Sequence, residues 1–163
     1  MKIKRLITVF LVATISSSAV AANLRLEVGD LHKDSQGRNG ILRVWLCDNR
    51  ACFDSDGKNS PYVNESRNDL PRDLTLGEEQ NSAEFLFRNL PNGQYSLFIH
   101  HDRNSDGLID NDTCLFGKPR DGLGFSNNMD PRALWRKPKW EEVRFDLAEP
   151  ELALQIKPIY MCD

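Results

Sequence analysis

The chain has 163 residues, of which 21 are basic and 24 acidic, and its formal net charge at pH 7 is −3. This length accommodates a single domain with a sizeable hydrophobic core. The acidic balance argues against nucleic-acid binding, because contacts to phosphates require a basic face.

The N-terminus has the pattern of a secretory signal peptide. Basic residues come first, and the apolar run over residues 6–15 that follows is too short to span a bilayer comfortably. Ala19-Val20-Ala21 fits a cleavage site of small residues, and no cysteine follows it to carry a lipid. We therefore predict a signal peptide over residues 1–21 and one exported domain, periplasmic or secreted, over residues 22–163. That domain carries 18 basic and 24 acidic residues and no candidate transmembrane segment.

The four cysteines predict two disulfide bonds, because an even number of cysteines in an oxidising compartment is usually fully paired. Of the three possible pairings we favour Cys47–Cys52, a short link at a strand end, together with Cys114–Cys162. The second bond would tie the end of an acidic loop to the C-terminus. A metal site built from these cysteines is disfavoured, because the chain contains no C-x-x-C pair.

Alternating apolar residues predict β-strands through most of the chain. The strand-like runs are residues 24–28, 42–46, 83–87, 95–101, 143–147 and 152–156. The run over 95–101 has apolar residues at both odd and even positions, which indicates a central strand covered on both faces. A short helical turn is predicted near residues 131–135, and no segment shows a long helical period. The pattern predicts an all-β fold, a single antiparallel β-sandwich.

Two segments interrupt this rhythm. Residues 54–80 are polar and rich in turn-forming residues, and their Asp54-Ser55-Asp56-Gly57 cluster is best interpreted as a plain turn. Residues 116–140 form a long segment, which we call the glycine-rich connection. Connections of this length are often functional. Its Trp135 and Trp140 are expected to anchor the connection to the core, because tryptophan side chains are usually largely buried.

The stretch from His101 to Thr113, which we call the acidic loop, places oxygen-bearing side chains at alternate positions around Gly107. Such a loop can wrap one Ca²⁺ ion. The predicted ligands are Asp102, Asn104, Asp106, the carbonyl of Leu108, Asp110 and Asp112. A helix–loop–helix calcium sensor is excluded, because Thr113 occupies the position of the bidentate glutamate and a strand precedes the loop. The alternative is a loop of Asx-turns that needs no metal.

Three motifs together resemble one bacterial exported family. They are FRNLPNGQY at residues 87–95, HDRNSDG at 101–107 and FGKPRDGLGFSNN at 116–128. The chain is similar in these motifs, and in their order, to domain of unknown function 2141. The resemblance implies a small β-sandwich of the immunoglobulin-like or transthyretin-like kind and an exported location. It implies no chemistry, and this chain departs from the family in its four cysteines and its long polar stretch over 54–80.

A catalytic interpretation is available for His100, His101 and Asp102. Because side chains alternate along a strand, His100 and Asp102 share a face and can form an imidazole–carboxylate pair. Ser126 is a candidate nucleophile, but it lies in GFSNN rather than in a G-x-S-x-G turn. A zinc site would need a third ligand, and His32 is the only other histidine. We expect instead that a histidine packs at the strand end and bonds to the following loop.

The sequence thus predicts a non-catalytic exported module that binds through its loops, with calcium shaping one of them. The predicted binding surface joins the acidic loop to residues of the glycine-rich connection: Phe116, Gly117, Pro119, Gly124, Phe125, Ser126, Asn127 and Asn128. A cell-envelope glycan and an exported protein are both candidate partners. Exposed aromatic residues would favour the glycan, whereas an open strand edge would favour the protein. A small exported hydrolase and a purely structural envelope protein are the alternatives.

Overall fold

A computed structural model describes residues 21–55, 73–109, 120–130 and 136–160. Alternation of apolar and polar residues produces strands throughout these ranges, and two sheets pack face to face, so the predicted all-β sandwich is confirmed. The strands are β1 (Ala21–Val28), β2 (Ile41–Cys47), β3 (Asp73–Thr75), β4 (Ala83–Pro91), β5 (Gly93–Asp102), β6 (Gly122–Phe125), β7 (Phe145–Leu147), β8 (Glu151–Ile156) and β9 (Ile159–Tyr160).

The first sheet has the strand order β4-β1-β8, and the second has the order β3-β2-β5-β6-β9. Strand β7 pairs with the first residues of β5. The pairing is antiparallel except between β1 and β8, which run parallel. A parallel pair needs a long crossover connection, and almost the whole chain lies between these two strands. Periodicity within one strand carries no information about the direction of its neighbour, which is why the sequence predicted only antiparallel pairs.

The main core fills the space between the two sheets. Strand β1 contributes Leu24, Leu26 and Val28, and β4 contributes Phe85 and Phe87 at the corresponding alternate positions. All five side chains are buried. Each fully buried apolar side chain of this size stabilises the fold by about 1.5–3 kcal/mol relative to exposure. The alternation seen in the sequence therefore identifies the inner faces of both strands correctly.

A second apolar cluster covers the outer face of the larger sheet. Two short helices, α1 (Arg50–Asp54) and α2 (Trp140–Val143), close over it. Its buried members are Trp45, Cys47, Cys52, Phe53, Phe98, Phe125, Trp140 and Val143. Strand β5 is therefore buried on both faces, as its sequence predicted, and Trp140 is the predicted core anchor. Trp135 lies outside the described residues.

Residue Val143 ends helix α2 instead of beginning a strand, so the predicted strand over 143–147 is shortened to Phe145–Leu147. The side chain of Glu142 accepts the backbone N–H of Lys139 at 2.6 Å and holds the first turn of the helix. Apolar periodicity carries no information about this cap. The predicted helical turn over 131–135 lies outside the described residues.

The disulfide bond Cys47–Cys52 is present and links the end of β2 to helix α1. This bond was predicted from the sequence. Cys114 and Cys162, the other predicted pair, lie outside the described residues. So do residues 1–20 of the predicted signal peptide, whereas Ala21 belongs to β1 and pairs with Pro91. No helix within the described ranges is long and apolar enough to cross a membrane.

The backbone of Gly40 passes directly against the end of β5. Gly40 has φ +67°, and a Cβ atom there would overlap the carbonyl oxygen of Asp102 and the backbone of Arg103. We predict that Gly40→Ala lowers the free energy of unfolding by about 2 kcal/mol or more, from backbone strain and steric overlap together. Gly29→Ala is the matched control, because a Cβ atom added at Gly29 would meet no other atom within 4 Å. Urea denaturation of the two variants measures the difference, and equal midpoints would contradict this account.

Candidate functional site

Strand β5 ends in three buried polar residues, and a fourth buried polar residue, Arg103, follows the strand directly. The exposed fractions of His100, His101, Asp102 and Arg103 are 2%, 0%, 0% and 7%. A buried polar group is costly unless it finds a hydrogen-bonding partner, so each of these side chains must bind another segment of the chain. We call these four residues the polar end of β5.

The carboxylate of Asp102 fixes the start of the acidic loop. One of its oxygens accepts the guanidinium of Arg43 at 3.0 Å and the backbone N–H of Gly107 at 2.9 Å. The other accepts the backbone N–H of Asp106 at 3.2 Å. Arg43 also reaches Asp73 on β3 at 3.1 Å. Asp102 therefore connects the acidic loop to the larger sheet.

The imidazole of His100 pairs with Asp121 instead of Asp102. Its Nε2 lies 2.8 Å from one carboxylate oxygen of Asp121, and the other oxygen accepts the backbone N–H of Arg103 at 3.3 Å. The His100–Asp102 pair of the catalytic interpretation does not form, because Arg43 and the loop amides bond to the Asp102 carboxylate. Sequence reasoning missed Asp121, which reaches His100 through the pairing of β6 with β5.

The imidazole of His101 bridges two other segments. Its Nε2 donates to the carbonyl of Asn39 at 2.5 Å, and its Nδ1 accepts the hydroxyl of Tyr160 at 2.6 Å. We assign this neutral tautomer because a carbonyl can only accept a hydrogen bond. The Tyr160 oxygen also accepts the backbone N–H of His32 at 3.0 Å. Burial lowers the pKa of His101, since the charged imidazolium would lose its hydration.

The side chain of Arg103 completes the polar end of β5. Its guanidinium donates to the carbonyl of Lys33 at 3.2 Å and to the carbonyl of Arg120, and it lies 5.0 Å from the ring centre of Tyr160. These contacts hold together the segment before β2, the segment before β6 and the end of β9. The polar end of β5 is thus a structural junction.

The described part of the acidic loop is organised by side-chain-to-backbone bonds. Asn104 accepts the N–H of Asp106 at 3.1 Å, and Asp106 accepts the N–H of Leu108 at 2.8 Å. The amide of Asn104 also donates to Asp106 at 2.8 Å. These are the Asx-turns that the sequence offered as an alternative to calcium. In the described ranges no three His, Cys, Asp or Glu residues are grouped to hold a metal ion, and Asp110 and Asp112 lie outside those ranges.

The acidic loop also presents two aliphatic side chains to solvent. Leu108 is 67% exposed and Ile109 is 38% exposed, and no other large hydrophobic side chain in the described ranges is exposed to this extent. Sequence reasoning considered Leu108 only for its carbonyl and did not consider Ile109. The available signal for their exposure was that two adjacent aliphatic residues occur in a loop that is otherwise polar.

Among the described residues, the predicted binding residues Gly124–Asn128 lead away from the acidic loop. Strand β6 pairs Gly122 with His101 and Phe125 with Phe98, so the chain runs away from that loop. Along this path Gly124, Phe125 and Ser126 are buried, whereas Asn127 and Asn128 are exposed. Phe116, Gly117 and Pro119 lie outside the described residues.

Ser126 and the two asparagines instead hold neighbouring segments together. The Ser126 hydroxyl accepts the N–H of Leu97 at 3.0 Å and donates to the carbonyl of Val143 at 2.5 Å. It thereby fills the gap beside β5 between β6 and β7. Asn127 donates to the carbonyl of Arg144 at 3.1 Å, and Asn128 donates to that of Gln155 at 3.0 Å.

These features define the molecule as an all-β sandwich in which a buried polar junction supports an exposed acidic loop. Residues 33–155 match the model of a family described as uncharacterised proteins conserved in bacteria, domain of unknown function 2141. The chain belongs to this family, and the predicted membership is confirmed. No curated protein and no solved structure gives a significant match to the chain.

The bonds of Ser126 predict a structural role that can be measured. We expect Ser126→Ala to lower the free energy of unfolding by about 1–3 kcal/mol, because the N–H of Leu97 and the carbonyl of Val143 lose a buried partner. Ser96→Ala is the matched control on the same strand region, since the buried Ser96 hydroxyl has no hydrogen-bond partner among the described residues. Chemical denaturation should show little loss for Ser96→Ala. Equal losses for both variants would contradict the assigned role.

The lowered pKa of His101 predicts a dependence of stability on pH. The unfolded imidazole, with a pKa of 6.5, takes up a proton at higher pH than the folded one. Stability is therefore fully present above that pKa and is lost as the pH falls towards the folded value. Each pKa unit of lowering corresponds to about 1.4 kcal/mol. We expect the unfolding free energy to fall more steeply from about pH 7 to about pH 5 in the native protein than in His101→Gln. Parallel curves would contradict the prediction.

Proposed function

We propose that the protein is an exported, non-catalytic binding module that contacts another exported protein through its acidic loop. The observation that carries this proposal is the exposure of Leu108 and Ile109 on a loop whose base is fixed by Asp102. Exposed aliphatic side chains on a fixed support suit contact with a partner, because little ordering is required when they become buried. The signal-peptide pattern and the Cys47–Cys52 bond support export.

The state of the candidate catalytic groups favours binding over catalysis. Both ring nitrogens of His101 are engaged, and His100 is buried against Asp121. Ser126 is fully buried and bonds to backbone groups of two segments. A nucleophile and its base must reach a substrate and one another, and these side chains face separate structural partners. The exported hydrolase is therefore the weaker proposal.

The character of the exposed surface favours a protein over a glycan. Sugar rings are typically bound by stacking on aromatic faces, yet every Phe, Trp and Tyr in the described ranges is buried or partly buried. The exposed pair on the acidic loop is aliphatic. Carboxylates surround it in the sequence, so a basic partner surface with an apolar centre would be complementary.

Calcium is part of this proposal as an organiser of the loop. Asp106, Asp110 and Asp112 are close in sequence, and their mutual repulsion falls when a cation binds between them. Asp102 already bonds to Arg43, so the later carboxylates would supply most of the ligand charge. A bound ion would also hold Leu108 and Ile109 in place at the loop surface.

Site-specific photo-crosslinking in a producing bacterium tests the proposed surface. A photoreactive residue at Leu108 is expected to give a discrete protein adduct, whereas one at Glu149 should not. Glu149 is also exposed but follows β7, whose pairing places it near the beginning of β5, away from the acidic loop. The adduct partner, once purified, should bind Leu108→Asp about tenfold or more weakly than the native protein. Equal labelling from both positions would contradict a specific surface.

Two further measurements separate the components of the proposal. Isothermal titration of the mature protein should show calcium binding at about 1 mM or below, and Asp106→Asn should weaken it. No heat at that concentration would remove calcium from the proposal while leaving the protein partner in it.

A glycan array with and without chelator tests the other class of partner. Glycan binding that Leu108→Asp abolishes would overturn the choice of a protein.

A further inference from the structure

Strand β4 is an outer strand of the smaller sheet in the part of the chain that the structure describes. It runs over nine residues and pairs with β1 along one side, with a register shift where Arg88 and Asn89 fall opposite Asn23. No other strand among the described residues pairs with its second side. An edge strand presents a row of backbone donors and acceptors that can pair with another strand. The length of β4 makes this edge suitable for such pairing.

The other strand edges are less suitable. The outer edge of β8 is partly covered by Asn128, which donates to the carbonyl of Gln155 at 3.0 Å and accepts the N–H of Lys157 at 3.3 Å. In the larger sheet, the edge strands β3 and β9 have only three and two residues. Among the described strands, β4 therefore offers the longest edge.

The solvent-facing residues of β4 are self-complementary. Glu84, Leu86 and Arg88 point to the same outer face, and Leu86 is half-buried between two exposed charged residues. If two copies of β4 pair antiparallel about a two-fold axis at Leu86, Glu84 of each copy lies opposite Arg88 of the other. Leu86 then lies opposite itself. Opposite charges and apolar pairs at directly opposed positions stabilise a sheet.

The charges within one copy favour this arrangement. Glu84 lies directly across from Glu27 on β1, and like charges at opposed positions are destabilising. Arg25 bonds to Glu84 at 3.0 Å but also lies 3.6 Å from Glu151, so its charge is shared between two carboxylates. An arginine from a second copy, placed on the open side of Glu84, would offset the Glu27–Glu84 repulsion.

We propose that two copies of this protein associate through β4, antiparallel and centred on Leu86. The two three-stranded sheets then become one continuous six-stranded sheet across an isologous two-fold interface. Phe85 of one copy comes opposite Phe87 of the other on the inner side, where both residues already belong to the core. This association is independent of the partner bound at the acidic loop.

Sedimentation of the mature protein with charge-reversal variants tests the register. Glu84→Arg places arginine opposite Arg88, and Arg88→Glu places glutamate opposite Glu84, so each single change should raise the dimer dissociation constant about tenfold or more. The double change restores opposite charges and should restore the dimer. Glu151→Arg is the matched control, because Glu151 also lies beside Arg25 but belongs to β8. It should leave the dimer unchanged.

A cysteine cross-link tests the two-fold axis directly. Side chains directly opposed in an antiparallel pair have Cβ atoms about 4.5–5.5 Å apart, so Leu86→Cys should give a disulfide-linked dimer under mild oxidation. Ala153→Cys, at an exposed position on the same face of β8, should not. Circular dichroism confirms that each variant is folded. A native protein that sediments as a monomer at high micromolar concentration, or a dimer indifferent to both single reversals, would overturn the proposal.

Discussion

The fold depends on the burial of four consecutive polar residues at the end of its central strand. Because water cannot reach them, His100, His101, Asp102 and Arg103 must be satisfied by other parts of the chain. Their partners belong to the segment before β2, the acidic loop, the segment before β6 and the end of β9. One requirement for hydrogen bonds thus brings together connections that a hydrophobic core alone would leave independent.

This junction also explains why residues with catalytic potential occur without an evident catalytic arrangement. Histidine and aspartate bond to backbone and side chains at once, which makes them effective at joining loops. The same bonds engage them with other parts of the fold, and those of Asp102 anchor the start of the acidic loop. The anchored base and the exposed Leu108 are the two observations on which the proposed partner surface rests.

The sequence was informative wherever burial alone determines the pattern. Alternation located most strands, and two-sided apolarity identified β5 as central. Partner choice was not predictable in the same way. His100 bonds to Asp121 because the register of β6 against β5 places Asp121 beside it. Alternation along β5 alone pointed to Asp102, which lies on the same face of the strand as His100. The role of Ser126 likewise depends on the gap between β6 and β7, which exists only in three dimensions.

The parallel pairing of β1 with β8 has a consequence for how the chain acquires its structure. Strand β1 lies between β4 and β8, so one of its two sides has no partner strand until residues 151–156 have been synthesised. Contacts between such distant segments slow folding, because a long loop must close before they form. This topology therefore keeps the newly synthesised chain incompletely folded until its last strands are available.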